Sequence, residues 1–350
     1  MTHFNCLSTG IGSLPFKEPR DALSLIAKNF PAVPHWPQLP QRGSQEGFVL
    51  QFLNPLVENG LLERRGEKVF FATDAPDWAD RLANFYALYL AIEEGDEAVL
   101  NEFGMPESAA AGFYAFLEEV PHLIERAQAL KGQIVGPLTV GFQLTDQGGR
   151  PAYYDEQIRD VIVKNLALHA RWQARTLAAY GKKVLLFIDE PGISIYGQST
   201  YITVTREMIM EDLNAIVGGI HAENALSGVH SCAAADWSIL TESNTDIISF
   251  DAYEFFSSVV PYRNAINKFL ERGGNLAWGI VPTSEKAFAE DSASLVARFE
   301  DYQSQLGIDE KLLKKQALIT PACGAGTLAP ELTERIYNLT ARVSALLRKE

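Results

Sequence analysis

The sequence predicts an α/β protein folded as a (β/α)8 (TIM) barrel, and three observations carry the prediction. From residue 183 onward, short apolar runs of strand type alternate regularly with helical stretches, the pattern of parallel strands joined by crossover helices. Three more strand candidates lie upstream and bring the number to the eight that a closed barrel needs. Polar residues of chemically useful types fall just past the ends of these runs, where barrels of this kind carry their sites. A doubly wound open sheet is the alternative arrangement of the same elements.

Taken in order, Cys6 to Pro15 reads as a short strand breaking into the turn Gly10-Ile11-Gly12-Ser13, and Glu18 to Phe30 has the apolar spacing of a helix. Ala32 to Pro40 is extended and punctuated by prolines, a second strand whose loop carries His35, Trp36 and Gln38. Gln41 to Leu53 looks helical. The stretch of about 59–126 breaks the repeat, with a strand or hairpin arm at Lys68 to Ala72 and helical runs at Trp78 to Glu94 and Glu107 to Glu119. It reads as an insertion after the second strand.

Gly132 to Thr139 is a third strand with turn chemistry behind it, and Glu156 to Tyr180 is a long helix stopped by Gly181. Strands are then expected at Lys183 to Ile188, Leu226 to Ser231, Asp246 to Phe250, Asn275 to Ile280 and Ala317 to Thr320. A chain of 350 residues is long for one core but ordinary for a barrel with an insertion, so one catalytic domain over residues 1–350 is expected.

Composition narrows the partners. A net charge of −14, from 30 basic and 44 acidic residues, disfavours a phosphate-backbone partner, which needs clustered Lys and Arg. No apolar run approaches the ~20 residues that cross a bilayer, so no membrane partner is expected. The first residues lack a basic region followed by an apolar core, which points to the cytoplasm. Three widely spaced cysteines suit metal or thiol chemistry better than a disulfide framework.

The chemistry centres on His230-Ser231-Cys232. An imidazole and a thiol two residues apart at a strand end can face one point, and Cys323 ends another strand-like run. Sulfur and nitrogen donors in this combination suit zinc, with Asp251 as a fourth ligand and Glu254 as a less well placed substitute. Asp189-Glu190-Pro191 follows the very apolar Val184 to Ile188. Two carboxylates there suit ammonium binding or general-base catalysis, or one of them caps the next segment. The Ile11 to Ser13 turn lacks a dinucleotide fingerprint, but its amides suit a carboxylate.

Together, Ile11-Gly12-Ser13-Leu14-Pro15, Gly136-Pro137-Leu138-Thr139, Ile188-Asp189-Glu190-Pro191, His230-Ser231-Cys232 and Pro321-Ala322-Cys323-Gly324 span most of the chain. On these motifs the sequence resembles the catalytic C-terminal barrel of cobalamin-independent methionine synthase. It more distantly resembles the uroporphyrinogen decarboxylase-like barrels that include methanogen corrinoid methyltransferases. The resemblance implies zinc held by His230, Cys232, Cys323 and a carboxylate, activating a thiol, homocysteine, for attack on a methyl group to give methionine. It places the substrate's amino group against Asp189 and its carboxylate at the turn of Ile11 and Ser13.

This sequence departs from the family in three ways. The family's zinc carboxylate is a glutamate, where Asp251 stands here. Its folate-stacking tryptophan is replaced by Phe142-Gln143, and its second, N-terminal barrel has no counterpart in these 350 residues. Methylcobalamin, carried on a corrinoid protein partner, is therefore the expected donor ahead of methyltetrahydrofolate. A uroporphyrinogen decarboxylase-like enzyme and a non-catalytic zinc- or corrinoid-binding protein are the alternatives.

Overall fold

The computed structural model describes residues 3–66 and 68–349. Its centre is a curled seven-stranded sheet of β1 (Leu7–Ser8), β4 (Ala129–Val135), β6 (Lys183–Asp189), β7 (Leu226–Ser231), β8 (Ile247–Phe250), β9 (Asn275–Val281) and β10 (Ala317–Pro321). The strand order is β1-β10-β9-β8-β7-β6-β4, and every pairing is parallel. Between β1 and β4 in the chain come β2 (Leu62–Arg65) and β3 (Lys68–Phe71), an antiparallel hairpin; β5 (Thr145–Asp146) follows β4 and extends the hairpin into a small second sheet.

The expected second strand appears as an extended segment rather than a ladder. Ala129 N and Lys131 N donate to Ala32 O and Pro34 O, and Trp36 N donates back to Lys131 O. On its other side Gln38 N donates to Gly12 O, and Leu14 N donates to Gln38 O. Residues 32–38 thus span the gap between β4 and the chain just after β1. Pro34, Pro37 and Pro40 have no N–H to donate, which reduces the pairing to isolated bridges at His35–Lys131 and Ser13–Gln38.

Side-chain parity decides what faces the inside of the curl. Leu7, Val33, Ala129, Leu185, Phe187, Ile247, Ala277 and Leu318 form one apolar cluster, and residues two apart on a strand share a face. Lys131 and Gln133, Asp189, His230, Ser249 and Asp251, and Thr320 therefore lie on the same inner face, closer to the strands' C-terminal ends. Gly228 is required at this level, because a Cβ there would sit 2.5 Å from the Phe187 ring. A separate, larger apolar cluster packs the helices against the outer face.

The helices that follow the strands are started by local signals. Asp155 caps Glu156–Ala178 by accepting from Gln157 N and Ile158 N, and Asp291 forms a reciprocal capping box with Ser294 at the start of Ser292–Leu306. The helix expected from Gln41 to Leu53 is instead three short 3-10 turns, Pro40–Arg42, Ser44–Glu46 and Leu50–Phe52. Gly43 and Gly47 interrupt the run, and each glycine costs an α-helix about 1 kcal/mol. Residues 59–126 contain the hairpin and the helices Trp78–Glu93 and Ala111–Leu123. Among the described residues, no helix is long and apolar enough to cross a membrane.

Candidate metal centre

Three ligand residues of two types, one imidazole and two thiols, meet at one point. His230 lies one residue before the end of β7, Cys232 just past it, and Cys323 just past β10. One ligand atom from each falls within 4.8 Å of the others. β8 and β9 lie between β7 and β10 in the sheet, so it is the curl of the sheet that brings Cys323 to His230 and Cys232.

The imidazole is oriented from behind. Its Nδ1 lies 2.9 Å from Ser249 Oγ on the neighbouring strand β8, and its Nε2 is buried without a hydrogen-bond partner among the described residues. A proton on Nδ1, donated to Ser249, leaves the Nε2 lone pair facing the two sulfurs, the arrangement expected of a metal-ligating histidine. The two thiols are hydrogen-bonded to each other. A hydrogen bond from Cys323 lowers the Cys232 thiol to about 4. The same bond and burial push Cys323 well above the usual thiol range. An orphaned buried imidazole nitrogen beside a ready thiolate fits a soft divalent cation such as zinc.

Above this point is a cavity of about 300 Å³ lined by Ile11, Ser13, Asp189, His230, Cys232 and Cys323, among others. A larger cleft of about 680 Å³ lies against the hairpin at Arg65, Phe70 and Leu144 and shares none of these residues. In the smaller cavity Asp189 Oδ1 is buried without a hydrogen-bond partner among the described residues. Burial pushes the Asp189 carboxyl up to about 6, against the pull of His230 and Lys131.

The two acids of the Asp-Glu-Pro motif take different places. Glu190 accepts from Leu138 N (2.8 Å), Thr139 N (2.9 Å), Thr139 Oγ1 (2.5 Å) and Gly192 N (3.1 Å). Its carboxylate thus closes the N-terminus of the helix Pro137–Gln143. Burial pushes it up to about 7 while these donors pull the other way. Gly136 leaves room for it, since a Cβ there would sit 2.2 Å from Glu190 Oε2. Glu190, expected beside Asp189 as a reactive acid, is engaged in holding a helix.

Asp251, expected as the fourth ligand, does not join the group of three. Its Oδ1 accepts from Tyr253 N (2.9 Å) and Glu254 N (2.8 Å), which turns the short side chain back onto its own loop. Burial pushes its carboxyl up to about 6. Glu254 pairs with Lys286 at 2.7 Å and is not a substitute. Of the residues at the second strand, Gln38 lines the cavity, whereas His35 is fully buried against Tyr337.

Sequence reasoning missed Ser249 and Lys131. Ser249 lies two residues before Asp251 and so shares its parity, which was the available signal. Lys131 fell outside the expected strand because that strand was begun at Gly132; a lone lysine among apolar neighbours, two residues before Gln133, marks it in retrospect.

No family model matches the sequence, and no curated protein does. Among solved structures, one similar chain is a B12-independent methionine synthase from Shewanella sp. W3-18-1 in complex with selenomethionine. It is 16% identical over 67% of this chain and 67% of its own, with a TM-score of 0.48. A fungal β-1,4-galactanase is 12% identical over 67% of this chain and 84% of its own (TM-score 0.39). A broad-specificity endoglucanase from Clostridium acetobutylicum is 12% identical over 67% and 78% (TM-score 0.40). These likenesses are too slight to carry function, which has to be read from the residues of this chain.

Proposed function

We propose that the chain is a zinc-dependent thiol methyltransferase built on a closed (β/α)8 barrel, with homocysteine as acceptor and methionine as product. The observation that carries the reading is the meeting of His230, Cys232 and Cys323 at the floor of the cavity, with His230 Nε2 buried and unpartnered. In this reading residues 32–38 complete the barrel as its second strand, residues 1–350 form one domain, and 59–126 is an insertion in it.

His230, Cys232 and Cys323 would hold the zinc, which when bound supplies a Lewis acid that lowers the pKa of a substrate thiol. Asp189 presents its free Oδ1 to the substrate ammonium, and the turn at Ile11 and Ser13 receives the carboxylate. Ser249 fixes the His230 ring, and Glu190 holds the helix that follows β4. A volume of about 300 Å³ is at the small end of ligand sites and suits an amino acid better than a tetrapyrrole, which disfavours the decarboxylase alternative.

The donor brings its methyl to the open side. Phe142 offers no free platform for a folate, because its ring is already packed at 5.0, 5.4 and 5.1 Å from Tyr153, Tyr154 and Tyr201. Methylcobalamin on a corrinoid protein is therefore favoured over methyltetrahydrofolate, in a cytoplasm that keeps both thiols reduced. In the overall exchange the thiol loses its proton, sulfur gains the methyl, and cobalt keeps the electron pair as cob(I)alamin.

The test is zinc content and methyl transfer in wild type and Cys323→Ser. Stoichiometric zinc and loss of the methylcobalamin spectrum with homocysteine are expected for wild type only. A variant that keeps zinc at wild-type affinity would remove Cys323 from the ligand set. Tight corrinoid binding with no methylated thiol would favour a carrier.

A further inference from the structure

Lys131 is fully buried on the inner face of the sheet, an uncommon place for a lysine. Its Nζ donates to Ile11 O at 2.5 Å and lies 4.5 Å from the centre of the Phe187 ring. Burial lowers its ammonium to about 8, with Asp189 holding it up. A desolvated cation is costly to keep unless something depends on it, and among the described residues its hydrogen bond goes to the turn that lines the cavity.

That turn has donors to spare. Among the described residues, the N–H groups of Ile11, Gly12 and Ser13 donate to no backbone or side-chain acceptor, although Ile11 and Ser13 line the cavity. The peptide joining Ile11 to Gly12 is trans, so its C=O and N–H point in opposite directions. With Ile11 O drawn down into the barrel by Lys131, Gly12 N–H is turned up and away from it. Gly12 also sits tight on Gln133, where a Cβ would be 2.6 Å from the side-chain carbon Cδ.

We propose that Lys131 is a positioning residue for the substrate's carboxylate: by holding the Ile11 carbonyl it aims the Gly12 N–H into the cavity, where the carboxylate of an amino-acid thiol docks. This role rests on the thiol-binding site proposed above. It differs from mere charge balance with Asp189, which would affect an ammonium-bearing ligand with or without a carboxylate.

The experiment compares two thiols by calorimetry on zinc-loaded protein: homocysteine, and 3-aminopropane-1-thiol, which keeps the thiol and ammonium but has no carboxylate. Lys131→Met is expected to keep its zinc and bind homocysteine about tenfold to a hundredfold more weakly, the range of one hydrogen bond to a charged group. Its affinity for the aminothiol is expected to stay within about twofold of wild type on the same scale. If Lys131→Met does not fold, Lys131→Gln, which removes the charge and shortens the reach to Ile11 O, is expected to show the same selective loss. Equal losses for both thiols, or no loss for either, would overturn the role. Wild-type protein that binds zinc but neither thiol would overturn the functional reading itself, and this role with it.

Discussion

Replacing Ser249 with alanine isolates what holds the histidine in place. Ser249 Oγ lies 2.9 Å from His230 Nδ1 and, among the described residues, is the hydrogen-bond partner of a buried ring whose other nitrogen faces the sulfurs. Without it Nδ1 becomes a buried group with no acceptor, which costs about 1–3 kcal/mol. The ring is then free to take the other tautomer, which puts the proton on Nε2 and removes the lone pair that would bind metal. Loss of such a supporting hydrogen bond typically lowers metal affinity about 10- to 100-fold, about 1.4–2.8 kcal/mol.

The assay is competition for zinc between the protein and a chelator of known affinity. Ser249→Ala should shift the curve by that factor, and Ser249→Thr, which keeps a hydroxyl, should recover most of it. Thermal unfolding of the metal-free forms separates the stability loss from the affinity loss. Wild-type zinc affinity in Ser249→Ala would refute the reasoning, because His230 Nε2 would then not be a ligand held by this bond.

Glu190→Ala should destabilise the fold by about 3 kcal/mol, since it strips the acceptor from Leu138 N, Thr139 N and Thr139 Oγ1 at a buried helix start, while protein that folds still binds zinc; denaturant unfolding with metal analysis checks both. Asp251→Asn should retain stoichiometric zinc, because the carboxylate faces Tyr253 N and Glu254 N; metal loss in this variant would restore it as a ligand. Asp189 titrates at about 6 in the folded chain, against about 4 when unfolded. Its neutral form therefore stabilises the fold below about pH 4, and that contribution is lost as pH rises through 6. Homocysteine affinity should rise over the same window as the carboxylate forms, by titration calorimetry, and 4-mercaptobutanoate, which lacks the ammonium, should not follow.

The sheet was legible because strands buried on both faces are continuous apolar runs, and the ones ending at Ser231 and Pro321 were read to within a residue. His230 and Cys232 were legible as a pair because residues two apart share a face. The same rule separates Asp189 from Glu190, one facing the cavity and the other the helix 137–143, although adjacent acids look equivalent in the sequence. Asp251 could not be placed from spacing, since its parity is right and only the amides of Tyr253 and Glu254 turn it aside. The second strand was half legible: its prolines signal an extended chain and at the same time remove the ladder. The Gln41 to Leu53 region was misread as one helix because Gly43 and Gly47 break the run into short 3-10 turns.

The central claim is that His230, Cys232 and Cys323 hold a zinc that takes up a substrate thiol. X-ray absorption at the zinc edge tests it most directly. The account predicts one nitrogen and two sulfur ligands from the protein and a third sulfur when homocysteine is added. A shell of oxygen and nitrogen alone, or a sulfur count unchanged by homocysteine, would contradict it.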